Sequence, residues 1–145
     1  YLDEMKSSPD ISDLFLYGRL NYYAATDSAY QDKQPTYLAE ADTIFAQVAV
    51  KVPDNYLGNF WRARVNSLRD PETTQGLAKP YYEAALSILE QKPDATKSVL
   101  VECNSYLGYY YFVKEDYNQS KQYWNKILEI DPENETATKA LGGIK

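Results

Sequence analysis

The sequence predicts an all-α protein built from repeated helical hairpins, and three observations predict it. Apolar, aromatic and small residues recur at steps of three and four, as in Tyr117, Ser120, Tyr123, Trp124, Ile127 and Leu128, which form one stripe of a helix. The small residues Gly18, Ala63 and Gly108 lie 45 residues apart each time, at equivalent points of three segments. Each segment closes on a proline: Pro53, Pro93 and Pro132. Self-similarity at a fixed period is the mark of a repeat architecture.

In chain order, "DISDLFLYGRLNYYAA" reads as a first helix with Asp10 or Ser12 as its N-cap. "PTYLAEADTIFAQVAVKVPD" is its antiparallel partner, and "ATDSAYQDKQP" is an insertion between the two. "DNYLGNFWRARVNSLRD" and "GLAKPYYEAALSILEQKPD" form a second pair around the longer turn "RDPETTQG". In the third pair, Cys103, Leu107, Tyr110 and Tyr111 share one stripe, and "KEDYN" is a short polar break. Its second helix runs from Asp116 to Ile130 and stops at Asp131-Pro132, because proline disfavours helix at the residue before it. After Pro132, "ENETATKALGGIK" fits a seventh helix ended by Gly142-Gly143, its polar residues outward. The whole chain, 1–145, reads as one domain with units at about 10–53, 54–93 and 95–132 and a capping helix at about 133–142. The opening "YLDEMKSSPD" reads as the tail of a preceding helix, with Pro9 in the role of Pro53.

These residues carry a resemblance to the tetratricopeptide repeat (TPR), a helix-turn-helix unit of about 34 residues. The third unit matches without a gap: Leu107, Gly108 and Tyr111 on its first helix, then Ser120, Trp124 and Pro132, departing at Asn104 and Ile127. The first unit matches through Leu14, Gly18, Ala41, Phe45 and Pro53, with Tyr17 where the family has leucine. The second matches through Ala63, Ala78, Tyr82 and Ala85. The resemblance implies a right-handed superhelix of three hairpins, a polar-backed helix that caps the last repeat, and a place among the C-terminal repeats of a longer, bacterial chain. The tyrosine-heavy "YLGYYYF" and "GLAKPYYE" are similar to exported repeat proteins of anaerobic gut-type bacteria, implying a periplasmic location with the cytoplasm as the alternative.

Composition excludes several classes of function. Fifteen basic against 21 acidic side chains, net −6, argue against nucleic acid and anionic membrane surfaces as partners. No apolar run approaches the length of a membrane span, so no part of this segment is expected to insert. Histidine is absent, which removes the commonest general base and the commonest metal ligand together. Cys103, the only cysteine, sits on an apolar stripe with no base in view and reads as a buried small hydrophobe rather than a nucleophile. The carboxylates cluster at helix starts and turns, where they satisfy free N–H groups. "DPENE" lacks the rhythm of a calcium loop, and no glycine-rich phosphate cradle exists. No catalytic residue, metal or cofactor is expected.

Tyr111, Tyr82, Phe45 and Trp124 occupy positions that are structural in the family and read as core. The groove positions of the first helices are different: the resemblance implies a partner-binding groove of Phe15, Arg19, Tyr22, Phe60, Arg64, Tyr109 and Phe112. Aromatic and arginine side chains dominate binding hot spots through stiff contact area and forked hydrogen bonds. The competing reading makes Arg19 and Arg64 ordinary solvated charges, or pairs one with Glu102. The slots by which carboxylate-clamp repeats hold chaperone tails contain Phe15, Arg19, Trp61, Glu102 and Tyr106 here, and none matches. The expected function is a non-catalytic scaffold that holds a partner's peptide or helix in this groove. Alternatives are a small ligand or glycan on the tyrosine-rich wall, and a structural or self-associating module.

Overall fold

The computed structural model describes residues 10–144; the expected tail of a preceding helix lies outside them. Among the described residues every regular element is a helix: α1 (Ile11–Thr26), a 3-10 segment (Ser28–Lys33), α2 (Gln34–Lys51), α3 (Leu57–Arg69), α4 (Lys79–Glu90), α5 (Lys97–Val113), α6 (Tyr117–Ile130) and α7 (Glu135–Gly143). Consecutive helices pack against one another, α1 on α2 through α6 on α7, in the superhelical order of a repeat array.

Local chemistry places the ends. Asp10 caps α1, its carboxylate accepting from the Asp13 N–H at 2.8 Å. Asp116 does the same for α6 through Gln119, and Asn134 for α7 through Ala137. Pro35 and Pro80 stand in the first turns of α2 and α4, where a missing N–H costs nothing. The insertion between α1 and α2 becomes the 3-10 segment, opened by Asp27 accepting from the Ala29 N–H at 2.9 Å.

The recurring small residue has a physical cause. A Cβ on Gly18 would lie 2.7 Å from Phe45 Cε1, and one on Gly108 2.7 Å from Trp124 Cε2. In both hairpins an aromatic ring of the second helix therefore sits directly on the first helix's backbone. Ala63 and Tyr82, both buried in the main core, supply the same pairing of residue types in the middle hairpin. Ser120 Oγ ties the third hairpin by donating to the Gly108 carbonyl at 2.7 Å. Tyr111 is only half-buried and stacks face to face on Tyr123, with centroids 5.6 Å apart.

Between hairpins the approach is as close. A Cβ on Gly58 of α3 would stand 2.6 Å from the Ala49 backbone nitrogen of α2. Beside it, Asp42 of α2 accepts from Arg62 Nε at 2.9 Å and from Asn66 Nδ2 at 2.8 Å. The turn from α3 to α4 winds around the buried Asp70 carboxylate, which accepts from the N–H groups of Gln75, Gly76 and Leu77. Burial alone would raise its pKa, but these N–H groups and the Thr74 hydroxyl outweigh it and hold the group below its ordinary value. Lys114, directly after α5, donates to the Thr74 carbonyl at 2.7 Å and pins this turn to the next hairpin. At the far end Ala137 and Ile144 join Trp124 and Ile127 in a second buried cluster flanked by Leu141.

Candidate functional site

The first helices of the three hairpins, α1, α3 and α5, build one face around Trp61. Its ring meets Tyr22 edge-on at 5.3 Å, Phe15 at 6.0 Å and Tyr23 at 6.0 Å, and tilts against the buried Phe45 at 5.8 Å. Arg64, one turn along α3, lies over Trp61 at 4.8 Å and over Phe60 at 4.5 Å. Its guanidinium donates from Nη2 and Nε to both oxygens of Glu102 on α5, at 2.7 and 2.9 Å. Tyr82 of α4 donates its hydroxyl to the same carboxylate at 3.0 Å. Tyr22, Arg64, Ser67, Leu68, Tyr82 and Glu102 line a shallow cleft of about 310 Å³.

Charge in this cleft is balanced and its phenols are quiet. Burial, above all, raises the Tyr22 pKa; Glu102 and Tyr23 add to this, and Arg64 opposes it. Tyr82 is raised further, by burial and then by Glu102. The Cys103 thiol, fully buried beneath Glu102, is pushed up to about 12. None of these groups is poised to donate or accept a proton near neutrality.

The structure separates the seven groove residues inferred from sequence. Tyr109 and Phe112 are exposed at 46% and 42%, and Phe112 meets Tyr117 edge-on at 5.7 Å. Tyr22 lines the cleft, while Phe15 is half-buried between Phe45 and Trp61. Phe60 must be corrected: at 3% exposure it belongs to the core, edge-on to Tyr82, and offers a partner nothing. The middle hairpin has neighbours on both sides, so α3 buries a wide arc in which the consecutive residues Phe60 and Trp61 both fall. Arg64 lines the cleft with its fork engaged by Glu102, the pairing that the competing reading of the sequence allowed. Arg19 rests over the Phe15 ring at 4.9 Å, with its Nε buried and without a hydrogen-bond partner.

Sequence reasoning missed Trp61 as the hub of the face and Tyr23, exposed at 51%, as its rim. The signal for Trp61 was present, since it lies next to the aromatic that was chosen. A larger cleft, about 590 Å³, lies elsewhere, between Lys51 and Leu57 with Lys92, and gathers no set of reactive groups. Among the described residues no cluster of three metal-ligating side chains occurs, and no helix is long and apolar enough to cross a membrane.

No protein-family model matches the chain, and no curated protein sequence matches it. Among solved structures it is similar to the C-terminal part of a TPR repeat-containing protein from the bacterium Cytophaga hutchinsonii. The two are 34% identical over 94% of this chain and superpose with a TM-score of 0.81. The chain has a tetratricopeptide-repeat fold. It spans 48% of that structure's chain, about half its length. TPR units serve generally as scaffolds for protein interaction, and their fold is typically non-catalytic.

Proposed function

We propose that this TPR chain is a non-catalytic scaffold that binds a protein partner across the face formed by α1, α3 and α5. One observation carries the reading. Phe45, Tyr82 and Trp124 of the second helices are buried, whereas Tyr23, Tyr109 and Phe112 of the first helices are 51%, 46% and 42% exposed, and the exposed Tyr117 of α6 stands edge-on to Phe112. Large apolar rings left in water cost solvation, and a partner's surface removes that cost. The buried thiol, the raised phenols and the mutually neutralised Arg64 and Glu102 support a binding role over a reactive one.

The test is affinity purification with the intact protein, comparing wild type, a Tyr23→Ala/Tyr109→Ala double variant and Val50→Ala. Val50, 80% exposed on α2, reports on the second-helix side. A true hot-spot residue costs about 2 kcal/mol or more on truncation, so the double variant should lose the partner at unchanged helicity while Val50→Ala keeps it. The opposite pattern would overturn the reading.

A further inference from the structure

The two groove arginines occupy the same register, one repeat apart, yet only one of them has a counter-charge. Arg64 receives the Glu102 carboxylate from the next hairpin. The residue one repeat earlier than Glu102 is Leu57, an apolar side chain packed against the core, so Arg19 receives nothing from its own next hairpin. Among the described residues Arg19 is the one arginine with neither a hydrogen bond nor an ion pair. Arg62 holds Asp42, Arg64 holds Glu102, and Arg69 donates to Asn66. Half-buried on the Phe15 ring, with Nε enclosed and unpartnered, it is a fixed cation in a chain of net charge −6.

From this asymmetry we infer that Arg19 receives a single Asp or Glu side chain of the bound partner at its outer Nη groups, its Nε being enclosed. The inference rests on the first-helix face being the binding face. A forked carboxylate contact supplies the acceptors that the guanidinium lacks, and partial burial strengthens it relative to water. The rest of the site defines the partner's neighbouring residue: Phe15, Tyr22 and Tyr23, packed edge-on against the buried Trp61, offer ring surface that fits an aromatic or large apolar side chain beside the acid. A polyacidic tract does not fit, because the chain's own negative charge opposes it and a single guanidinium is free. The occupant is therefore a peptide segment with one isolated acidic residue next to an aromatic or apolar one.

Random peptides displayed on phage, selected on the intact protein and resynthesised with amidated C-termini, supply the probe. The selected peptides should share one Asp or Glu beside an aromatic or apolar residue. Replacing that acid by its amide should weaken binding about tenfold or more. Arg19→Gln should weaken the acidic peptide equally and leave the amide peptide unaffected, and Arg19→Lys should restore binding only in part. The amide substitution is made in the peptide, so the result stands even if the protein variant folds poorly. If the peptides lose affinity with Tyr109→Ala or Tyr23→Ala but not with Arg19→Gln or the amide, this inference fails and the face reading survives. If the peptides ignore the tyrosine variants too, or no peptide is selected, both fail.

Discussion

Gly58 is where the stacking of hairpins can be tested by adding one methyl group. Its Cβ would lie 2.6 Å from Ala49 N, 2.8 Å from Ala49 Cα and 3.0 Å from Ala49 Cβ. Ordinary contact begins at 3.4 Å, so α3 must withdraw from α2 by about 0.8 Å. The obstacle is backbone and cannot rotate aside. Overpacking costs about 1–3 kcal/mol, and a rigid obstacle favours the upper end. Alanine's helix propensity returns at most about 1 kcal/mol, which leaves a net loss of about 2 kcal/mol for Gly58→Ala. For a chain of this size that lowers Tm by roughly 6 °C. Urea unfolding followed by circular dichroism measures it. Gly142→Ala, with nothing within 4 Å of its Cβ, isolates the propensity term and should be neutral or slightly stabilising. A Gly58→Ala midpoint equal to or above wild type would refute the claim that α2 and α3 meet backbone to backbone here.

Other expectations follow from the same contacts. Gly108→Leu should overpack against Trp124 and cost about 1–3 kcal/mol, read from the urea midpoint. Deleting the residues after Pro132 removes Ala137, Leu141 and Ile144 from Trp124 and Ile127; light scattering should then show association through the uncovered patch. Asp70 has a folded pKa below its ordinary 3.8, so its stabilisation is full above that value and is lost as pH falls through the folded pKa. Asp70→Asn should therefore destabilise by about 1–3 kcal/mol at neutral pH and flatten the acid limb of a pH series of unfolding midpoints.

The fold was legible because its rule is local. Within a hairpin a small residue and an aromatic face each other at fixed spacing, so Gly18 with Phe45 and Gly108 with Trp124 announce themselves in one chain. Caps such as Asp10 depend on residues three positions away and were equally readable. Gly58 was not, because its reason lies in α2 of the preceding hairpin, where no periodic pattern marks Ala49. The site was legible in outline only. Groove positions on α1, α3 and α5 follow from helix register, but burial depends on how many neighbours a helix has. Phe60 was lost to the core for that reason, and Trp61 beside it became the hub. Pairing across repeats is a question of reach and geometry: sequence offered Glu102 as a partner for either arginine, and only the fold assigns it to Arg64.

Hydroxyl-radical footprinting of the protein with and without its purified partner tests the binding-face claim most directly, since oxidation of tyrosine and phenylalanine reports side-chain exposure. The partner should protect Tyr23, Tyr109 and Phe112 and leave Tyr30, 44% exposed beside α2, oxidised as before. Protection of Tyr30 with Tyr23, Tyr109 and Phe112 unchanged would contradict the binding-face claim.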